Sequence, residues 1–113
     1  MSDDSVAFLE THVFKKVVEQ LLDEEEFREL QNALLIDPKR GDVIPRTGGV
    51  RKLRFHQRTK KRGKRGGVRV IYYHRTTYNT ILLVLAYEKT HQDDLTPEQE
   101  RLVKKLVERY KGA

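Results

Sequence analysis

Three basic side chains are spaced so that strands could hold them together at a phosphate group. Lys52 and Arg54 alternate within residues 48–55, so both point to the same face of a strand. Arg69 is the one charged residue in the apolar run of residues 68–73. Guanidinium and ammonium groups on a rigid scaffold stabilise the charge that develops on phosphoryl oxygens when a phosphodiester is attacked. These residue types in this pattern indicate binding or chemistry at phosphate.

The positive charge is concentrated in residues 43–87, which hold twelve Lys or Arg residues and no Asp or Glu. The rest of the chain carries 11 basic and 17 acidic residues, so the net charge of +6 conceals two regions of opposite sign. A positive patch on a strand scaffold is typical of a polyanion-binding protein. A basic loop is expected at residues 56–66, and the predicted phosphate ligands in and beside it are Arg51, Arg58, Lys60, Lys61, Arg62, Lys64 and Arg65.

Length and composition set limits on the class of protein. A chain of 113 residues, 37% of them apolar, is expected to form one domain spanning residues 1–113. The absence of Cys excludes disulfides and thiolate catalysis and suits a reducing cytoplasm. No secretory signal is recognised, and the longest apolar run, residues 81–87, is too short to span a bilayer. The four His residues lack metal-ligand spacing, so neither a metal nor another cofactor is expected.

Hydrophobic periodicity and capping signals predict the element order β-α-α-β-β-β-α. A short strand in residues 5–9 precedes two helices, the second capped by Asp23 and ended before Pro38. Residues 37–49 form a loop, three strands follow, and Thr96 with Gln99 forms a capping box that begins the last helix. The second and third of those strands are apolar on both faces, so both are expected to be central. The expected fold is α+β, an N-terminal helical hairpin and a C-terminal helix on one side of a mostly antiparallel sheet.

Several stretches of the sequence resemble the RelE/ParE superfamily of bacterial toxins, and within it the HigB-like branch. The matching pieces are residues 41–44 (GDVI), 48–54 (GGVRKLR), 63–73 (GKRGGVRVIYY) and 93–96 (DDLT). The resemblance covers nearly the whole chain in the same element order, and residues 63–73 are its most specific part. It implies a RelE-like fold and a small toxin that cleaves messenger RNA without a metal, usually in the ribosomal A site. It also implies a cognate antitoxin, a HigA-like helix-turn-helix protein.

The resemblance assigns roles to individual residues. Lys52 and Arg54 match two alternating basic residues on the strand before the long loop, and Arg69 matches an arginine on the next strand. Where RelE-like toxins place a Gly-Lys followed by a general-acid arginine, this chain has Lys89 and then Thr90. The acid is therefore open: Lys89 or His91 could serve, or the site could lack a strong acid. The catalytic candidates are Lys52, Arg54, Arg69, Lys89 and His91, and the loop and Arg51 are expected to bind RNA.

Each candidate has a chemical rationale. When the 2′-OH attacks the adjacent phosphate in line, Arg54 and Arg69 could stabilise the phosphoryl oxygens. Lys52 could act as the base, because neighbouring cations disfavour a charged lysine. His91 titrates near neutrality and could protonate the leaving oxygen. Tyr73 or Tyr87 could stack on a base.

Simpler interpretations exist for the same residues. Charge alone favours a solvated or rRNA-binding surface over catalysis, and Arg69 could pair with an acidic residue on the helices. His91 could be an exposed loop residue, and the tyrosines half-buried strand residues. Two alternative functions follow: a ParE-like gyrase poison on the same scaffold, and a non-catalytic RNA-binding module.

Overall fold

The computed structural model describes residues 6–56 and 67–112, and in that part of the chain a five-stranded sheet is combined with three helices. This is the α+β class predicted from the sequence. The elements in chain order are β1 (Ala7–Glu10), α1 (His12–Leu21), α2 (Glu24–Ile36), β2 (Asp42–Val43), β3 (Arg51–Phe55), β4 (Val68–Arg75), β5 (Thr80–Glu88) and α3 (Pro97–Lys111).

The strands lie in the order β1-β5-β4-β3-β2, so β4 and β5 are central, as predicted from their apolar residues on both faces. The β2–β3, β3–β4 and β4–β5 pairs are antiparallel, whereas β1 pairs with β5 in parallel. The sheet is therefore mixed, with one parallel pair. The short strand β2 falls within residues 37–49, which were predicted to be a loop, and it adds one strand to the predicted order.

The helices cover both faces of the sheet, and the prediction that they share one side is wrong. Phe14, Val18 and Leu21 of α1 pack with α2 against one face of β4 and β5. Val103 and Val107 of α3 pack against the other face. The physical reason is that β4 and β5 carry apolar side chains on both faces, and each face needs its own cover.

The helices begin where the predicted caps are. The Asp23 carboxylate accepts a hydrogen bond from the Glu26 amide at 2.7 Å, and the Glu26 side chain accepts one from the Asp23 amide at 2.9 Å. Thr96 and Gln99 form the equivalent box at the start of α3. Of the helices in the described ranges, none is long and apolar enough to cross a membrane.

The alternation of β4 determines what each face presents. Val68, Val70 and Tyr72 belong to the core under α1 and α2. Ile71 belongs to the core under α3, with Tyr73 packed against it. Side chains of adjacent residues in a strand point to opposite faces, so Arg69 projects on the α3 face.

Tyr72 joins the centre of the sheet to the segment before β2. Its side chain is fully buried. The hydroxyl donates to the Pro38 carbonyl at 2.7 Å and accepts from the Gly41 amide at 2.9 Å. A Cβ atom at position 41 would lie 2.9 Å from the Tyr72 ring and from the Lys52 carbonyl oxygen, so glycine is required there for this close approach. This contact holds β2 beside β3.

We expect Tyr72→Phe to lower the free energy of unfolding by about 1–3 kcal/mol, because the buried Gly41 amide and the half-buried Pro38 carbonyl lose their partner. Urea denaturation followed by circular dichroism measures this change. Tyr78→Phe is the matched control, since Tyr78 is 68% exposed and its change should stay within about 0.5 kcal/mol. Equal losses in the two variants would contradict the role assigned to the Tyr72 hydroxyl.

Candidate functional site

Lys52, Arg54 and Arg69, the basic trio, lie on one face of the sheet. In the antiparallel register of β3 and β4, Arg54 is directly opposite Arg69, and Lys52 is opposite Ile71. Residues that face each other in this register project on the same side. The prediction that Lys52 and Arg54 share a face is therefore confirmed, and Arg69 lies on that face as well. It is the face that α3 covers in part.

Each member of the basic trio has a carboxylate within ion-pair distance. Arg69 NH2 is 3.3 Å from Asp93 Oδ1, and Lys52 Nζ is 2.7 Å from Asp94 Oδ1. At the outer edge, Arg54 NH1 is 3.4 Å from Oδ2 of Asp42 on β2. Because like charges directly opposite one another destabilise a strand pair, these carboxylates offset part of the repulsion between Arg54 and Arg69.

Asp93 and Asp94, the acidic pair, lie in the turn between β5 and α3. The Tyr87 hydroxyl donates to the Asp93 carbonyl oxygen at 3.2 Å, and the Gln92 side chain donates to that of Asp94 at 2.9 Å. Leu95, the next residue, is buried in the core beneath α3. The N-terminal cap of α3 follows immediately at Thr96. The turn is therefore fixed at both ends, and it places two carboxylates against the basic trio.

Access to solvent differs across the basic trio. The side chain of Arg54 is 56% exposed, that of Lys52 14% and that of Arg69 4%. An approaching anion therefore meets Arg54 first, while Asp94, at 79%, lies on the solvent side of Lys52. The central strand holds Arg69 rigidly, as electrostatic stabilisation of a reacting group requires.

Two pKa shifts follow from this arrangement. The hydrogen bond and the charge of Lys52 lower the pKa of the Asp94 carboxyl below its ordinary value. Burial, reinforced by the negative charge of Asp94, raises the pKa of Tyr87 to about 12. Tyr87 is therefore a neutral hydrogen-bond donor at physiological pH. The Lys52 ammonium donates to Asp94, so it has no lone pair in this arrangement with which to take up a proton.

The acid candidates lie on the turn that carries the acidic pair. Lys89 follows β5, is exposed, and its amide donates to the Gly67 carbonyl at 3.1 Å. The side chain of His91 is 73% exposed, and its Nε2 atom is 3.8 Å from Glu88 Oε1. Neither residue has a contact with the basic trio in the described structure.

The predicted RNA-binding residues fall into separate places. Arg51 lies on the opposite face of β3 from the basic trio and donates to the carbonyls of Lys39 and Gly41 at 3.1 and 2.6 Å. The Tyr73 ring packs edge-on against Tyr110 at 6.3 Å between ring centroids, and Lys111 Nζ lies 4.8 Å from its centroid. The remaining six, which fall outside the described residues, are Arg58, Lys60, Lys61, Arg62, Lys64 and Arg65.

Sequence reasoning missed the acidic contribution to the site. Asp93 and Asp94 entered it only as part of a family resemblance, and Asp42 and Tyr87 were given no contact with the basic trio. A signal was present: two adjacent carboxylates stand between a central strand and a capped helix, close to a region with no acidic residue. Because the neighbouring region is strongly positive, these two carboxylates could have been predicted to form ion pairs with it. Which cation each one binds depends on the strand register.

A pocket of about 680 Å³ lies between β1, α1 and α2, on the far side of the sheet from the basic trio. It is lined by Glu10, Lys15, Val18, Glu19, Leu22, Asp23, Glu24 and Phe27. Four carboxylates against one lysine make it unsuitable for a polyanion. The basic trio, which lies outside this pocket, is thus the candidate phosphate site.

Within residues 6–56 and 67–112, no three His, Asp or Glu side chains come together in a way that could hold a metal ion. No protein-family model matches the sequence. The geometry of the basic trio and its carboxylates is therefore the main basis for assigning a function.

We expect Lys52→Met to raise the pKa of Asp94 toward its ordinary value of 3.8, because its main source of depression is removed. In the native chain the depressed pKa means that this ion pair stabilises the fold above pH 3.8, and the contribution is lost as the pH falls through the lowered value. An NMR titration of the Asp94 carboxyl carbon measures the shift. Arg54→Met, which removes a weaker influence, should raise this pKa less, and an unchanged Asp94 pKa in Lys52→Met would contradict the pairing.

Proposed function

We propose that this protein is the toxin of a type II toxin–antitoxin module, of the HigB-like branch of the RelE/ParE superfamily. In this proposal it is an endoribonuclease of the cytoplasm that cleaves messenger RNA on the translating ribosome, and so inhibits translation. Its independence of metal ions is part of the same resemblance. The family assignment rests on the sequence pieces that resemble these toxins, and the site assignment on the basic trio.

The observation that supports the proposal most directly is the pairing of Arg54 with Arg69 across β3 and β4, with Lys52 on the same face. Three cations on one face of two adjacent strands would together offer a phosphate several charged hydrogen-bond donors. The arginine side chains of a generic basic surface would be more exposed than that of Arg69, which is 4% exposed.

The proposed reaction is an in-line attack of the ribose 2′-OH on the adjacent phosphorus. A bond from the 2′ oxygen to phosphorus forms, the bond to the 5′ oxygen of the next nucleotide breaks, and a 2′,3′-cyclic phosphate remains. The 2′-OH gives up a proton and the leaving oxygen takes one, so the step is balanced. Arg54 would bind the phosphate from the solvent side, and Arg69 would stabilise the extra charge on the phosphoryl oxygens.

The proton transfers have separate candidates. Lys52 donates to Asp94 at 2.7 Å, which suits a positive electrostatic role better than that of a base. His91 and Lys89, on the same turn, are the two candidates for the acid, because an imidazolium or an ammonium group can give a proton to the leaving oxygen.

The partners in this proposal are messenger RNA, ribosomal RNA and a HigA-like helix-turn-helix antitoxin. The net charge of +6 and the twelve basic residues in residues 43–87 favour association with the ribosome. The antitoxin is inferred from the family resemblance alone.

A non-catalytic RNA-binding module is the second candidate, and one observation favours it. Arg69 is buried and ion-paired with Asp93 at 3.3 Å, which is also how an arginine with a purely structural role would be found. Mapping new 5′ ends of messenger RNA after induced expression separates the two functions. Codon-phased cuts support the ribonuclease, whereas growth without cuts supports the binding module, and replication arrest without cuts indicates a gyrase poison.

We expect Arg69→Ala to abolish messenger RNA cleavage while the protein stays folded. Loss of one oriented donor to a transition-state charge raises the barrier by about 2.7–4 kcal/mol, or 10²–10³-fold in rate. The variant should fold because its partner Asp93 has a side chain that is 60% exposed and remains hydrated. The measurement is cleavage on purified ribosomes, with circular dichroism to verify folding.

The matched control is Arg75→Ala, which removes the same charge from the same strand. Arg75 lies six residues further along β4, roughly 20 Å away, and packs against Tyr78 and Tyr110. Its rate should remain close to that of the unmodified protein. A folded Arg69→Ala variant that cleaves as fast as the control would remove Arg69 from the reaction.

The basic loop carries a second prediction for this function. Replacing Lys60, Lys61 and Arg62 by Ser should weaken RNA binding and reduce the slope of log K against log[salt] by about 0.7 for each lost contact to single-stranded RNA. Replacing the three exposed residues Lys104, Lys105 and Arg109 of α3 is the control for the same loss of charge. An unchanged slope in the loop variant would show that these side chains do not contact phosphate.

A further inference from the structure

The two members of the acidic pair bind different cations. The Asp94 carboxylate is bound to Lys52 Nζ at 2.7 Å, and its side chain is 79% exposed. Asp93 binds Arg69 through its carboxylate, and its carbonyl oxygen accepts from Tyr87 at 3.2 Å and from Lys52 Nζ at 3.5 Å. A rotation about the side-chain bonds of Asp94 would detach its carboxylate from Lys52 without a movement of the backbone.

The turn itself is anchored, so a change at Asp94 would stay local. Its carbonyl oxygen accepts from the Gln92 side chain, which also binds Gln99 of α3 at 2.8 Å. On the other side of the turn, Leu95 is buried and Thr96 caps α3. The backbone at Asp94 is thus held from both directions, while its carboxylate remains in solvent.

The ammonium group of Lys52 is poorly accessible to an anion from solvent. Its side chain is 14% exposed, and the Asp94 carboxylate occupies the solvent side of its ammonium group. A phosphodiester is, like a carboxylate, an anion with two oxygens that accept hydrogen bonds from an ammonium group. A phosphate approaching Arg54 from solvent reaches Lys52 only if Asp94 gives way.

We propose that Asp94 is a displaceable counter-ion that competes with an RNA phosphate for Lys52 and thereby sets how tightly the site holds its substrate. The proposal deepens the proposed function and rests on it for the identity of the polyanion. In the free protein Asp94 neutralises Lys52 beside the facing pair of arginines. When RNA binds, the phosphate takes over the ammonium group, and the Asp94 side chain turns to solvent.

The competition is weak enough to be overcome. An ion pair with an exposed partner contributes little to stability, because water and salt screen it. Removing the competitor should therefore tighten RNA binding modestly, by about two- to five-fold. It should also make the salt dependence steeper by about 0.7, because Lys52 then holds a counter-ion that phosphate releases.

The test measures binding of a single-stranded RNA with 2′-O-methyl groups, which lacks the attacking hydroxyl and cannot be cleaved. Fluorescence anisotropy gives the Kd and its salt slope for the full chain and for Asp94→Asn. We expect about two- to five-fold tighter binding and the steeper slope. The matched control is Glu98→Gln, which removes the same charge from an exposed position in the first turn of α3. It reports the general effect of one negative charge, and should change Kd less.

A double-variant cycle with Lys52→Met identifies the partner. If Asp94 acts by occupying Lys52, Asp94→Asn should add no more than Glu98→Gln does once Lys52 is absent. The proposal is overturned if Asp94→Asn matches Glu98→Gln in the native background, or if its gain persists in Lys52→Met. Cleavage by the native protein is a separate readout. If the native protein does not cleave RNA but Asp94→Asn still binds RNA more tightly, the proposed ribonuclease activity is refuted. The competition between Asp94 and phosphate is then still supported.

Discussion

Two arginines at directly paired positions of neighbouring strands are the constraint on which this site depends. Arg54 and Arg69 are brought opposite one another by the β3–β4 register, and their repulsion must be offset by nearby negative charge. Asp42 of β2 and Asp93 of the turn after β5 provide it from two sides. The short strand β2 and the turn after β5 therefore each supply a carboxylate beside one of the two arginines.

The two-sided packing of the sheet determines where those charges can meet an external anion. One face of β4 and β5 is covered by α1 and α2, and the other by α3. Because α3 begins only at Pro97, the part of its face next to Arg69 is covered by the acidic turn rather than by a helix. The positive end of the α3 dipole also lies just beyond Asp94, which favours carboxylates at this position. Substrate access and local electrostatics are therefore both set by where one helix starts.

Much of this fold could be predicted because it depends on local signals. The capping boxes at Asp23 and Thr96 and the apolar runs of β4 and β5 act within a few residues, and each predicted its element correctly. The position of α3 on the opposite face could not be predicted in this way, because both faces of the central strands accept a helix. The two residues of β2 carry too little periodicity to be recognised as a strand.

In the site, too, local signals could be predicted from the sequence and tertiary contacts could not. Alternation placed Lys52 and Arg54 together, but pairing Arg54 with Arg69 requires the strand register. The contacts of Asp93 and Asp94 cross more than 20 positions of sequence, so no spacing rule reveals them. The opposite orientation of Arg51 does follow from alternation, and its charge alone grouped it with the expected RNA-binding residues of the loop. Patterns identified the cations, and only the tertiary arrangement shows which of them are already neutralised.

The parallel pairing of β1 with β5 has a consequence for how the chain assembles. Ala7 pairs with Thr80 and Glu10 with Leu83, so the first strand to be synthesised has its hydrogen-bonding partner in the last strand of the sheet. Such a distant contact carries a large loop-closure entropy and forms slowly. A nascent chain emerging from amino to carboxyl terminus therefore cannot complete this sheet until β5 has left the exit tunnel. The acidic turn follows β5 in the chain, so the surface that it completes forms later still.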